Sequence, residues 1–183
     1  MSYSNNIFLI GPMGSGKSAV GRRLASQMGL EFHDSDEEIE SRTGVDINYI
    51  FEKEGEQGFR KRESTVIAEL AQLEGIILAT GGGAAEDPAS RKILAENGTV
   101  IYLYTGVAEQ VRRTSKSRNR PLLNDGDPAE ILDRLMKLRD PQYREIAEMV
   151  IETDGRQVAT VAKELKQKLE SGNSGDRAQS DDS

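Results

Sequence analysis

The chain has 183 residues, 36% of them apolar, 30% charged and 5% aromatic, with a formal net charge of −7, no Trp and no Cys. That length suits one domain around one core. The acidic balance and scarce aromatics argue against nucleic-acid partners, and the lack of cysteine excludes disulfides and thiolate chemistry. Residues 1–6 are short and polar and show no signal-peptide pattern. No apolar run approaches the ~18 residues of a membrane span, so a cytoplasmic protein with no membrane contact is expected.

Residues 7–10, Ile-Phe-Leu-Ile, are an unbroken apolar run before Gly11-Pro12, as in a strand buried on both faces. Residues 16–29 read as a helix, with Val20, Leu24 and Met28 four apart and Gly29 at C′. A short second strand over 30–32 leads to a helix over 34–43, acidic in its first turn, and a further short helix over 46–54. A longer helix over 57–74 puts Phe59, Val66, Leu70 and Leu73 on one side and stops at Gly75. A third strand over 76–80 ends in Gly81-Gly82-Gly83. Residues 88–97 form a helix with Asp87 as N-cap and Pro88 at N1. A fourth strand over 100–104 precedes a helix over 107–114 and a basic polar loop running to 127. The helical stretch 129–147 is expected to be interrupted at Asp140-Pro141, because proline has no N–H to give the preceding turn. A fifth strand over 149–153 and a last helix marked by Val158, Val161, Leu165 and Leu169 complete the domain. Strands alternating with helices indicate an α/β fold with a parallel sheet and helices on both faces. Residues 171–183 have almost nothing to bury and are expected to be disordered.

Gly11-Pro12-Met13-Gly14-Ser15-Gly16-Lys17-Ser18 satisfies the phosphate-loop pattern G-x-x-x-x-G-K-[ST], between a predicted strand and a predicted helix. Glycine at 11, 14 and 16 permits backbone conformations and close approaches that a Cβ would hinder. Successive N–H groups then converge on phosphates at the positive end of the helix. Lys17 reaches the β- and γ-phosphates, and the Ser18 hydroxyl can ligate Mg²⁺. ATP with Mg²⁺ is therefore the expected co-substrate.

Asp34-Ser35-Asp36 follows the second strand. Extended backbone would project both carboxylates to one side at the sheet's carboxyl edge, where ligands bind in open α/β sheets. Asp34 is assigned to the metal through water and Asp36 to the acceptor hydroxyl; the competing reading is that both acids only cap the next helix. No acid ends the strand over 76–80, which makes Asp34 the more necessary carboxylate for the metal. Gly81–Gly83 is either a tight turn or a close approach of backbone to ligand. Arg60 opposes the dipole of the helix it begins, which an anionic ligand would resolve. Arg112, Arg113, Lys116, Arg118 and Arg120 form either a solvated patch or a loop that closes over triphosphate, with Pro121-Leu122-Leu123 seating it.

Taken in order, Gly11–Ser18, Asp34-Ser35-Asp36, Gly55-Glu56-Gln57-Gly58-Phe59-Arg60, Gly81-Gly82-Gly83, Arg120-Pro121-Leu122-Leu123 and Arg139-Asp140-Pro141-Gln142-Tyr143 resemble the shikimate kinases over about residues 5–170. The resemblance implies a P-loop fold of the nucleoside-monophosphate-kinase type, with a central five-stranded parallel sheet. It implies one kinase domain over 1–170, an acceptor-binding region over about 34–62, a lid over about 113–126 and a monomer. It implies transfer of the ATP γ-phosphoryl group to the 3-hydroxyl of shikimate, a step towards aromatic amino acids. Asp36, Arg60, Gly82 and Arg139 would hold shikimate. Gly14, Ser15, Gly16, Lys17, Ser18 and Ala19 would hold the nucleotide, with Arg113 against adenine. Lys17 and Arg120 would stabilise the moving phosphoryl group. Asp36, with an ordinary aspartate pKa of ~3.9, would orient the hydroxyl and take its proton late. The chain matches the family poorly near 154–157, so no residue is assigned there. The alternative is a gluconate-type sugar-acid kinase, which shares the phosphate loop, an acidic pair and an anionic acceptor.

Overall fold

The computed structural model describes residues 5–117 and 120–175. Five strands, β1 (Asn6–Ile10), β2 (Glu31–Asp34), β3 (Ile76–Ala79), β4 (Gly98–Tyr104) and β5 (Met149–Glu152), form one parallel sheet in the order β2-β3-β1-β4-β5. The expected sheet is therefore present, with boundaries moved by one or two residues. Strand β1 lies at its centre, with Ile7 opposite Ile77 on one side and Thr99 on the other. The chain turns to β3 on one flank and β4 on the other, so a crevice opens beyond the carboxyl end of β1.

Seven helices, α1 (Lys17–Met28), α2 (Ser35–Thr43), α3 (Ile47–Leu70), α4 (Pro88–Asn97), α5 (Val107–Thr114), α6 (Pro128–Ile146) and α7 (Val158–Gly175), cover the sheet among the described residues. Alternation along β1 feeds two cores. Ile7 and Leu9 pack with Val20, Leu24 and Leu165 under α1 and α7. Phe8 and Ile10 pack with Phe59, Ile67, Leu94 and Tyr143 under α3, α4 and α6. Both faces of β1 are thus apolar, as a parallel central strand requires. No described helix is long and apolar enough to cross a membrane.

Four readings change. The helices expected over 46–54 and 57–74 join as α3, with a break at Gly55, whose φ of 72° only glycine adopts easily. That helix ends at Leu70, not 74, and Leu73 lies exposed rather than on the packed side. The reason is Asn6, the last of the polar residues 1–6, which is buried. Its Nδ2 donates to the Leu73 carbonyl at 2.6 Å and its Oδ1 accepts from the Ile76 N–H at 3.1 Å, clamping the turn that leads into β3. Third, α6 runs unbroken through Pro141. Proline still deletes one bond to the preceding turn, but Arg139 and Tyr143, one turn apart, are both buried and hold the helix on course. Asp140 also accepts from Tyr102 Oη at 2.7 Å and from Arg144 Nε at 2.9 Å. Fourth, α7 extends to Gly175, into the stretch expected to lack structure; residues 176–183 lie outside the described residues.

Replacing Asn6 by Ala strands a buried N–H and a buried carbonyl. Denaturant titration should show a loss of about 2–3 kcal/mol, with steady-state kinetics unchanged. A loss below half a kcal/mol would remove Asn6 from the clamp.

Candidate active site

Helices α2, α3 and α4 begin with side-chain caps from Asp34, Asp46 and Asp87. Helix α1 begins differently. Its N-cap is Gly16 in the left-handed region, no side chain caps it, and its first turn holds no acid. The positive end of its dipole and its first N–H groups are left to a ligand. Gly11, Gly14 and Gly16 all have positive φ, at 146°, 80° and 85°, as the phosphate loop demands.

Lys17 is buried in the mouth of this loop. Its Nζ donates to the carbonyls of Gly11 and Pro12 at 2.7 and 2.8 Å and to Ser15 Oγ at 3.3 Å. Burial lowers its pKa to about 7, nearby Arg120 adds to the fall, and Asp36 and Asp34 oppose it. Ser18 Oγ donates to Asp34 Oδ2. The other oxygen, Asp34 Oδ1, accepts from the N–H groups of Asp36 and Glu37 at 2.9 and 3.1 Å. Asp34 therefore does cap α2, through Oδ1, but not only that: its Oδ2 is bonded to the phosphate-loop serine. A hydroxyl and a carboxylate oxygen side by side form a hard donor set of the kind Mg²⁺ takes.

Asp36 reaches the same site by another route than expected. It does not alternate with Asp34 along a strand; it stands in the first turn of α2. The residue is partly exposed, but its Oδ1 is sealed from water and has no hydrogen-bond partner. Burial, then the carboxylates of Glu63 and Asp34, push its pKa up to about 7, against the pull of Lys17 and Arg120.

Two adjoining cavities meet here. One, about 330 Å³, is lined by Gly14, Gly16, Lys17, Ser18, Ala19, Thr80 and Arg113 among others. The other, about 400 Å³, is lined by Phe51, Phe59, Arg60, Glu63, Gly83, Leu122 and Arg139 among others. Met13, Asp34, Asp36, Gly81, Gly82 and Arg120 line both and form the seam between them. Each volume lies in the range of small-ligand sites.

The triple glycine has ordinary φ angles, so no left-handed turn explains it. Crowding by the site's own side chains does. A Cβ at Gly83 would lie 2.3–2.5 Å from the Arg60 guanidinium, and one at Gly81 2.5 Å from Glu63 Oε2 and 3.0 Å from Asp36 Oδ1. At Gly82 it would come within 3.3 Å of the Met13 backbone and 3.4 Å of Arg139 Nη1. Tyr143 Oη donates to the Gly82 carbonyl and ties this loop to α6.

All the assigned residues gather on these two cavities except Ser15, which is buried in the loop and bonded to Lys17. Of the five bases from 112 to 120, only Arg113 and Arg120 line them among the described residues. Arg112 pairs outward with Glu109, and Arg118 lies outside the described residues. Arg113 is bonded to the Gly14 and Thr153 carbonyls at 3.0 and 2.9 Å. Sequence reasoning missed Glu63, which is 2% exposed and pairs with Arg60 at 2.8 Å. It also missed Glu86, which pairs with Arg139. Glu63 lies three residues after Arg60 on one helix, a spacing that signals a pair; nothing local announces Glu86.

A family model described as shikimate kinase matches residues 13–170. The chain belongs to the shikimate kinase family. A shikimate kinase of Thioalkalivibrio sulfidiphilus (strain HL-EbGR7) is 54% identical over 165 residues, covering 90% of this chain and 87% of the relative. One of Shewanella sp. (strain MR-4) is 50% identical over 169 residues, covering 92% and 99%. The solved shikimate kinase of Acinetobacter baumannii in complex with shikimate superposes with a TM-score of 0.91 at 48% identity, covering 93% of this chain and 96% of that one. A gluconokinase from Sinorhizobium meliloti 1021 superposes with a TM-score of 0.64 at 17% identity, over 98% and 99%, a likeness of fold alone. The rival sugar-acid kinase reading is not favoured.

The raised pKa of Asp36 has a sign that can be tested in the ligand-free protein. Folded, Asp36 keeps its proton to about pH 7; unfolded, it loses it near 3.8. Its stabilising contribution is therefore complete below about pH 4 and lost as pH rises to about 7. Lys17, lowered to about 7 from 10.5, works in the window above, adding stability as pH climbs. Asp36→Asn should remove the fall between pH 4 and 7 and leave the rise above it. Parallel denaturation curves for both proteins across pH 5–7.5 would contradict this origin.

Proposed function

We propose that the chain transfers the γ-phosphoryl group of ATP to the 3-hydroxyl of shikimate. The observation that carries this reading is the seam. A phosphate-loop cavity and a cavity holding Arg60 and Arg139 share Asp34, Asp36, Arg120 and Gly82, so donor and acceptor would meet over two carboxylates and one guanidinium. The names of the relatives support shikimate as the acceptor.

In this reading residues 14–19 grip the triphosphate through backbone N–H groups and Lys17. Arg113, braced on Thr153 and Gly14, lies against adenine. Arg60 and Arg139 pair with the shikimate carboxylate, and Gly82 lets the acceptor approach the backbone. Ser18 directly and Asp34 through water would hold Mg²⁺, which supplies charge neutralisation of the β- and γ-phosphates when bound. The acceptor oxygen forms its bond to the γ-phosphorus as the bond from that phosphorus to the β,γ-bridging oxygen breaks, and ADP leaves. The hydroxyl proton passes to Asp36. Burial and the neighbouring carboxylates push the Asp36 pKa up to about 7 in the ligand-free protein, so its carboxylate form is a stronger base than an ordinary aspartate and suits a group that orients the hydroxyl and takes its proton. Lys17 and Arg120 face the oxygens of the moving group. We further propose that the segment around 113–126 acts as a lid over the bound nucleotide.

A coupled assay of ADP release with shikimate, gluconate and AMP in parallel should give turnover with shikimate alone. Turnover with gluconate at a comparable kcat/KM would overturn the assignment. Asp36→Asn should keep ATP affinity and lose turnover by about two to four orders of magnitude. Near-normal turnover would take Asp36 out of the mechanism.

A further inference from the structure

Arg139 is 3% exposed, and a guanidinium so enclosed needs a counter-charge. Glu86 provides it. A single oxygen, Oε2, accepts from Arg139 Nε at 2.9 Å and lies 2.8 Å from Nη2. The carboxylate thus holds the Nε side of the guanidinium by a hydrogen bond and Nη2 by charge alone, since Nη2 is buried without a hydrogen bond of its own. The remaining nitrogen, Nη1, lies beside Gly82, on the cavity side. Glu86 itself does not line the cavity, so it stands behind Arg139 rather than competing for its ligand.

Glu86 is also rigidly placed. It closes the short 3-10 turn Ala84–Glu86 that follows the triple glycine. Its N–H donates to the Gly83 carbonyl at 3.1 Å, and its own carbonyl accepts from Arg91 Nη1 at 3.3 Å. Its charge is felt across the site: burial works against the charge on Arg60, but Glu63, Glu56 and Glu86 together outweigh it. One carboxylate outside the cavity thus serves both arginines that face the acceptor.

We propose that Glu86 is a positioning residue for the acceptor site, fixing the Arg139 guanidinium from behind so that Nη1 faces the acceptor's carboxylate. This rests on the assignment of Arg139 to that carboxylate given above. Without the counter-charge, Arg139 would turn towards Glu63 or towards water, and the acceptor would meet a misaimed cation.

The test is steady-state kinetics of the full chain with shikimate and ATP varied separately. Glu86→Gln should raise KM for shikimate roughly tenfold, the worth of one charge-assisted bond, and leave kcat and KM for ATP within about twofold. Glu86→Asp, which keeps the charge on a shorter arm, should fall between wild type and Gln, and serves as the readout should the Gln variant fold poorly. In an Arg139→Ala background, Glu86→Gln should cause no further rise. A normal KM for shikimate in both Glu86 variants, with Arg139→Ala impaired, would overturn the role of Glu86 and spare the acceptor site. A normal KM in Arg139→Ala would overturn the acceptor-site assignment itself. Equal rises in both KM values, or a lowered melting temperature alone, would show Glu86 to be merely structural.

Discussion

A lysine and an aspartate of opposite charge line the phosphate-loop cavity together, and burial weakens the charge of each. Lys17 is drawn down and Asp36 pushed up to about the same pKa, near 7. Neither group would be tolerated there on packing grounds alone, since burying a charge costs far more than burying a methylene. The fold tolerates both because each partly answers the other and because two ligands complete the set. In the proposed reaction phosphates would restore the charge on Lys17, and the acceptor hydroxyl would give the unpartnered Asp36 Oδ1 something to bond. The site is costly to the ligand-free protein and suited to the reaction, as functional sites commonly are.

The rest of the architecture delivers these groups to one point. The crevice beyond β1 exists because the chain moves to opposite flanks after it, and the phosphate loop fills that crevice. Strand β2 ends in Asp34, whose cap starts α2 and so sets Asp36 one turn inward. Strand β3 ends in three glycines that leave room for Arg60, Glu63 and Asp36 to lie across the backbone. Helix α6 runs past the same loop and presents Arg139 and Tyr143 on one face. Four elements with little sequence proximity thus converge, and each does so through a feature of its terminus or its buried face.

Much of this is legible in the chain because the signals are local. Apolar runs such as Ile7–Ile10, the glycines of the phosphate loop and the Asp87-Pro88 helix start each carry their reason within a few residues. What stays hidden depends on distant partners. Asn6 reads as a polar terminus until Leu73 and Ile76 are brought to it. Pro141 reads as a break until the burial of Arg139 and Tyr143 is known. Asp36 reads as a strand neighbour of Asp34 until the Asp34 cap is seen to turn the chain at once into α2, which puts Asp36 in a helix turn that still faces the cavity. Glu63 and Glu86 are 2 of 31 acidic residues, and only the tertiary structure separates them from the solvated ones.

Those acids also explain how a chain of net charge −7 can hold two anionic molecules. The cations around the cleft fall into two groups. Arg60, Arg113 and Arg139 are each bonded to a carboxylate of the protein, Glu63, Glu109 and Glu86 respectively. Such pairing fixes a guanidinium in direction and lessens its reach as a free charge, which suits a group that must recognise a ligand before reaction. Lys17 bonds only to carbonyls and a hydroxyl, and Arg120 Nε is sealed without a partner. Both feel the Asp36 carboxylate through space, and in the proposed reaction they would meet the charge on the moving phosphoryl group. A cation already neutralised would add little there, because its field is largely cancelled by its partner at the distance of the reacting oxygens. The acids therefore act in two ways: Glu63, Glu109 and Glu86 brace their arginines by direct ion pairs, whereas Asp36 and Asp34 act on Lys17 only through space and leave its ammonium bonded to neutral oxygens.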